Sequence, residues 1–268
     1  MRADLVPDDL WERVAPLLPP VPARRRRYPG RLRVPDRAAL AGIMYVLRTG
    51  VAWRDVPAET VGCSGVTAWR RLRDWTEADV WPRLHAALLA ELRRADLLDV
   101  DHCAVDGSHS GPSKGDHVGP SPVDRARPGS KHHLIVDRHG TPLAVTLTGG
   151  NRHDVTQLLP LLDAVPPIRG LRGRPRRKPR HLYADRGYDF DKYRRLLWKR
   201  GIRPMIARRG VAHGSGLGKV RWVVERAFAW LHQFKRLRIR YERRADLHQG
   251  LLELACSLIC LRRLRTVR

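Results

Sequence analysis

Two short apolar runs in this chain each stop at an aspartate with a glycine close behind, and together they constrain the fold more than any other feature. The first is Cys103-Ala104-Val105-Asp106-Gly107-Ser108 and the second is His181-Leu182-Tyr183-Ala184-Asp185-Arg186-Gly187-Tyr188. Asp and Gly are both poor residues for a strand interior, so each pair reads as a strand end from which a carboxylate projects. One Asp-Gly pair alone is more often a simple turn; its repetition turns the reading toward a site. A third acid, Glu225, lies inside an otherwise apolar helical stretch, Val223-Val224-Glu225-Arg226-Ala227-Phe228-Ala229-Trp230-Leu231. Two strand-end aspartates and a helix-borne glutamate make a candidate divalent-metal site of Asp106, Asp185 and Glu225.

Charge points to the partner. The 52 Lys and Arg against 27 Asp and Glu leave a formal +25, which self-repels unless a polyanion neutralises it, and nucleic acid is the expected polyanion. A ribosomal or membrane-surface protein would share that charge but would need neither the eight tryptophans nor three placed acids. Cys63, Cys103, Cys256 and Cys260 form no Cys-x-x-Cys pair and no zinc spacing. Cys256 and Cys260, one helical turn apart on an apolar stretch, are expected to pack in a core. No apolar signal region follows Met1, and the longest apolar run, about 251–261, contains Glu253 and is too short to span a bilayer. A soluble chain in a reducing cytoplasm, with no membrane partner, is the expectation.

The first hundred residues read as helices. Residues 8–18 carry acids in a first turn and end at Pro19-Pro20. Residues 24–33 hold six arginines, among them Arg25 and Arg26, with Pro29 and Gly30 as breakers; a solvated linker and a phosphate-contacting arm fit alike. Asp36 can cap a helix to about Arg48, with Gly50 just past its end, and Ser64 can cap another. In that second helix Val66, Trp69, Leu72 and Trp75 are assigned to the buried side, and Thr67, Arg70, Arg71 and Asp74 to the opposite one. An exposed face of this kind fits the recognition helix of a helix-turn-helix, although the connection of about fifteen residues suits a plain helical bundle as well. A further helix spans about 80–97.

Residues 107–131 are rich in Gly, Pro, Ser and charge, and no packed element is expected there. Residues 132–137 and 142–148 read as strands around the turn 138–141. With the Asp106 strand they make three consecutive antiparallel strands. Asp154 is expected to cap a helix over 155–165; His153 beside it reads either as a surface residue or as half of a catalytic pair. Residues 169–180 hold seven cations in twelve positions, as a solvated loop or as a DNA-backbone contact. A strand at 182–184, a helix at about 192–199 and a strand at 202–207 complete a mixed sheet with flanking helices. Arg221, Glu225, Phe228 and His232 then share one stripe of a helix whose adjoining face is Val224, Ala227, Leu231 and Phe234. Glu225 beside Arg226 is open to a second account, a structural ion pair.

Nearly the whole chain resembles the DDE transposases of bacterial insertion sequences, in particular insertion-sequence family five. In the front part the resemblance rests on Leu10-Trp11-Glu12 with Pro16-Leu17-Leu18-Pro19, on Leu47-Arg48-Thr49-Gly50-Val51-Ala52-Trp53-Arg54-Asp55-Val56-Pro57 and on Trp69-Arg70-Arg71-Leu72 with Trp75. In the core it rests on Val105-Asp106-Gly107-Ser108, Gly119-Pro120-Ser121-Pro122-Val123-Asp124-Arg125, Gly129-Ser130-Lys131-His132-His133, Gly150-Asn151-Arg152-His153-Asp154, Ala184-Asp185-Arg186-Gly187-Tyr188-Asp189 and Val224-Glu225-Arg226-Ala227-Phe228-Ala229-Trp230-Leu231. A signature of related transposases, Tyr-x2-Arg-x3-Glu-x6-Lys, is met here by Arg221 and Glu225, whereas Gly218 stands at its Tyr and His232 at its Lys.

The resemblance implies a ribonuclease H-like α/β core, residues 99–268, behind a small helical DNA-binding domain, residues 1–98, with 107–131 and 166–180 as flexible loops. It implies that Asp106, Asp185 and Glu225 bind two Mg²⁺, with Mn²⁺ able to substitute, for strand cleavage and transfer at terminal inverted repeats and target DNA. Arg221 and His232 are expected to hold the DNA backbone near the acids. Thr67, Arg70 and Arg71 are expected to read the repeats, and Arg25 and Arg26 to hold phosphates. A homodimer or larger assembly on DNA and a bacterial, nucleoid-associated location belong to the same expectation. An RNase H-like nuclease would keep the acids but lack the front helices; a domesticated DNA-binding regulator would not need all three acids.

Overall fold

Strand β1 (His102–Pro112) is the axis around which a mixed sheet is built. The computed structural model describes residues 5–21, 23, 27, 31–112, 114–122, 125–211, 216 and 218–266. The two-residue β2 (Gly119–Pro120), then β3 (Pro128–Val136) and β4 (Pro142–Gly149), lie on one side of β1; β5 (His181–Ala184) and β6 (Arg203–Ile206) lie on the other. The sheet order is β4-β3-β1-β5-β6, with β1, β3 and β4 antiparallel and β5 and β6 parallel to β1. Antiparallel neighbours need only a tight turn, here 138–141, while parallel ones need crossovers, and these carry α6 (Leu158–Asp163) and α7 (Asp191–Lys199). This is the RNase H-like mixed sheet with flanking helices.

Residue alternation sorts the helices between the two faces. Asp106 is level with Leu134 across the β1–β3 pair. His132, two residues from Leu134 and on its face, meets His248 of α9 (Ala245–Arg265), their Nε2 atoms 2.9 Å apart. Arg221 of α8 (Gly218–His232) reaches Asp106 itself. The face of Asp106 is therefore covered by α8 and α9. Lys131 and His133 point to the other face and meet Asp154, where the α6 crossover begins.

In front of the sheet lie α1 (Asp8–Val14), α2 (Asp36–Thr49), α3 (Ala58–Val61), α4 (Gly65–Glu77) and α5 (Val80–Arg94). One connected cluster of buried apolar side chains runs from Val6 to Leu261, so these helices share a core with the sheet. α5 lies along α9, and His85 of α5 is buried with its Nε2 2.9 Å from the Pro142 carbonyl oxygen. Cys256 and Cys260 are fully buried in α9, as their spacing suggested. Among the described residues no helix is long and apolar enough to cross a membrane.

Several local expectations are corrected. β1 does not end at Asp106-Gly107 but continues to Pro112, and β3 starts at Pro128, so much of 107–131 is ordered strand. A Gly-Ser-His-Ser-Gly run has little strand propensity of its own, but pairing with β3 satisfies its backbone groups through Ser110↔Ser130. Asp36 does not cap α2: the cap is Pro35, and the Asp36 carboxylate takes Arg33 at 2.7 Å and Arg71 at 3.1 Å. Ser64 does cap α4, accepting from the Thr67 N–H. The helix over 155–165 is a 3-10 turn, Asp154–Gln157, followed by α6, and its cap is His153, not Asp154. In α4 the buried residues are Gly65, Ala68, Leu72 and Trp75, while Val66 is 56% exposed and Trp69 only half-buried. A step of three residues falls about 60° short of a helical turn, so three such steps carry Val66 to the face opposite Trp75.

Candidate active site

The β1–β5 register ends at Ala104↔Tyr183; two residues further on, Asp106 and Asp185 stand level at the point where β5 has stopped and β1 goes on. Each acid is fixed by the glycine behind it. Gly107 N–H donates to Asp106 Oδ1 and Gly187 N–H to Asp185 Oδ1, both at 2.8 Å. The second contact opens the 3-10 turn Arg186–Tyr188, with Asp185 as its cap. The two Asp-Gly signals thus have different backbones, a continuing strand and a turn, with the same carboxylate–amide bond.

Glu225 joins them from α8 through Arg221, one helical turn earlier. Arg221 Nη1 lies 3.1 Å from Asp106 Oδ2, and its Nη2 lies 3.0 Å from Glu225 Oε1. One guanidinium therefore spans two of the three acids. The ion-pair alternative for Glu225 falls elsewhere than expected, because Arg226 is stacked between Trp222 and Trp230 (4.3 and 4.8 Å to the ring centroids) and donates to the His139 carbonyl at 2.7 Å. Among the described residues no three His, Cys, Asp or Glu side chains are close enough to form a ready ligand cage.

Burial pushes the Asp106 carboxyl up to about 6, against the Gly107 N–H and the Arg221 charge, and the negative charges of Asp185 and Asp154 push the same way. Tyr188, buried beside these acids, has its hydroxyl pushed well above its ordinary pKa by burial and by the charges of Asp106, Asp154 and Asp185. It stays a neutral donor. His232, two turns beyond Glu225, is half-buried with its ring 6.4 Å from Phe228, and burial followed by the Arg238 charge lowers its pKa.

Of the front residues, Arg70 is exposed on α4. Thr67 has its hydroxyl 3.0 Å from Ser64 Oγ. Arg71, expected to face outward, is held between α4 and α2 by Asp36, with its side chain 14% exposed. Arg25 and Arg26 lie outside the described residues. The basic stretch 169–180 is partly tied down: Arg176 bridges to Ile168 by backbone pairing and pairs with Asp101. Sequence reasoning missed the side-chain role of Asp154, together with Lys131 and His133. Their signal was present in two of the motifs that carry the family resemblance, Gly129-Ser130-Lys131-His132-His133 and Gly150-Asn151-Arg152-His153-Asp154.

Residues 94–260 match the family described as "Transposase DDE domain", and residues 6–85 match "Putative transposase of IS4/5 family (DUF4096)". Over 144 residues, 54% of this chain and 68% of the relative, the chain is 67% identical to a Burkholderia cepacia protein named "Putative transposase for insertion sequence element IS402". Over 109 residues, 40% of this chain and 74% of the relative, it is 58% identical to "Insertion element IS402 uncharacterized 16.2 kDa protein" from the same organism. A chain of the "Crystal structure of the Mos1 Strand Transfer Complex" aligns with 88% of this chain and 81% of its own length at 11% identity and a TM-score of 0.26, a likeness too distant to assign any residue a role.

Proposed function

The chain belongs to the DDE transposases of insertion sequences, enzymes of DNA transposition, and from that premise we propose that Asp106, Asp185 and Glu225 hold the divalent ions with which it cuts and rejoins DNA at the element's terminal inverted repeats. The observation that supports this reading is the placement of the acids: two aspartates level on adjacent strands, and a glutamate joined to the first of them by Arg221. The donors suit the group. All are carboxylate oxygens, as hard cations require, and Asp106 is largely buried, its carboxyl pushed up to about 6 chiefly by that burial. Mg²⁺ is the ion proposed, with Mn²⁺ able to replace it.

When bound, such ions would supply an activated attacking oxygen and a stabilised leaving oxygen. The chain's own residues do the rest. Arg221 stands where a scissile phosphate would need neutralising, and it can exchange its bonds to Asp106 and Glu225 for phosphate oxygens. Tyr188 keeps a buried donor beside the acids. His232, its pKa lowered by burial, would act on the DNA backbone as a hydrogen-bonding group.

The front region, residues 1–98, is proposed to bind the repeats and residues 99–268 to carry the chemistry; the separate family matches on either side of residues 85–94 support that division. Arg70, exposed on α4, is the foremost base-reading candidate. Arg70→Ala is expected to cost ~1–3 kcal/mol at the cognate end and to relax sequence preference. Arg71→Ala should instead loosen α4 from α2 and show mainly in thermal melting. Fluorescence anisotropy with cognate and random duplexes separates the two, and an Arg70→Ala protein that discriminates as well as the parent removes the assignment.

Two inverted ends call for two copies of the site, so a homodimer or larger assembly is proposed on DNA, where phosphates screen the +25 of each chain. The test is incubation with duplex carrying the element's own ends and Mg²⁺. Nicked and joined products that require both cognate ends and metal, with at least two chains per pair of ends by light scattering, are the expected result. Cleavage that ignores chelator would overturn it.

A further inference from the structure

We propose that Asp154 is a fourth carboxylate of this site, a positioning residue that holds a water ligand of the ion at Asp106 and Asp185, with Lys131 and His133 fixing its orientation. The inference rests on the metal site proposed above and adds a group to it.

Asp154 begins its 3-10 turn, yet its side chain caps nothing. It is committed to the sheet. Lys131 Nζ donates to Asp154 Oδ1 at 3.0 Å and to the Arg152 carbonyl at 2.9 Å, and the lysine side chain is only 7% exposed. A buried ammonium is costly unless paired, so this contact is built into the fold. His133 is completely buried and held by Thr148, with Nε2 2.8 Å from Oγ1. That leaves its Nδ1 without a hydrogen-bond partner among the described residues, aimed at the same Asp154 oxygen from 3.8 Å.

Gly107 completes the cradle. A Cβ there would stand 2.9 Å from Asp154 Oδ1 and 3.2 Å from His133 Nδ1. Only glycine lets the carboxylate press against the backbone immediately after Asp106. Gly107 and His133 face away from the Asp106 side chain, so Asp154 approaches from the opposite face of the sheet. It does so where β5 has ended and the edge of β1 is uncovered, and its turn packs on the turn that starts at Asp185. Asp154 keeps 36% of its side chain exposed, leaving room for a water. Its charge also bears on Asp106. Four carboxylates, Asp106, Asp154, Asp185 and Glu225, then face two fixed cations, Lys131 and Arg221, an imbalance that a hydrated divalent ion would correct. Carboxylates that orient a metal's ligands in this way typically cost about 10–100-fold in metal affinity when removed.

The test is Mn²⁺ binding to the full chain, read from the paramagnetic resonance signal of free Mn²⁺, with thermal melting in chelator recorded alongside. Asp154→Asn should weaken Mn²⁺ binding about 10–100-fold. The double change Asp154→Asn with Lys131→Met, which leaves no lone buried charge, should do the same. If both proteins melt lower but bind Mn²⁺ as the parent does, Asp154 is merely structural and the inference falls. Asp106→Asn is the reference. If it weakens Mn²⁺ and Asp154→Asn does not, only this inference is lost; if neither does, the metal site itself is lost.

Discussion

Asp106→Asn is expected to lower strand cleavage by more than about a thousandfold, some 4 kcal/mol of transition-state stabilisation, with DNA affinity close to that of the parent. The substitution keeps shape and removes charge. An amide can still accept the Gly107 N–H that fixes Asp106 Oδ1, and it leaves the surface cations untouched, so neither the strand nor non-specific DNA binding should suffer. What it removes is the anionic oxygen shared between Arg221 and the proposed ions. Cleavage of end-containing duplex in Mg²⁺, beside anisotropy in chelator, measures both halves. Loss of affinity in step with cleavage would make Asp106 a structural residue. Asp185→Asn should behave in the same way.

Glu242→Gln is expected to cost about 3–5 kcal/mol of stability, because it breaks a buried ion pair and strands the partner charge. Arg236 Nη2 lies 2.7 Å from Glu242 Oε1, and the two side chains are 5% and 2% exposed. The same carboxylate receives Trp53 Nε1–H at 3.4 Å. Arg236 also donates to the Val51 carbonyl at 3.0 Å and stacks on Trp53 and Tyr241. This cluster pins the connection after α2 to the segment leading into α9, tying the front helices to the sheet. Urea unfolding at pH 7 measures the loss; a change below 1 kcal/mol would mean that the pair is not the tie it resembles.

The pH dependence has a definite sign. Burial would raise the Glu242 pKa, but the neighbouring His248 and Arg236 outweigh it and hold the group below its ordinary 4.5. A depressed carboxyl contributes stability that is present above the unfolded value and is lost as pH falls through the folded one. The gap between parent and Glu242→Gln should be constant above about pH 5 and close progressively below 4.5.

What was legible from sequence was local. Asp106 and Asp185 stood out because an acid closing an apolar run is a pattern within six residues, and Arg221 with Glu225 because a helix places residues four apart side by side. The order of strands and helices followed from the same short-range patterns, and with it the mixed sheet. Where the local rule was applied with the wrong period, as in placing Val66 with Trp75, it failed, since helical phase accumulates along the chain. The remaining features needed the chain to be folded. β1 extends through a run of poor strand formers because β3 supplies its hydrogen bonds. Arg71 is a tie to Asp36 rather than a free cation because α2 lies beside it. Asp154 left the helix cap for Lys131 because the crossover from β4 passes beneath β1 at a glycine. Propensity and spacing act between near neighbours, whereas a charge takes its partner from whatever the register of the sheet and the packing of helices bring within 3 Å; that choice was made by the tertiary structure alone.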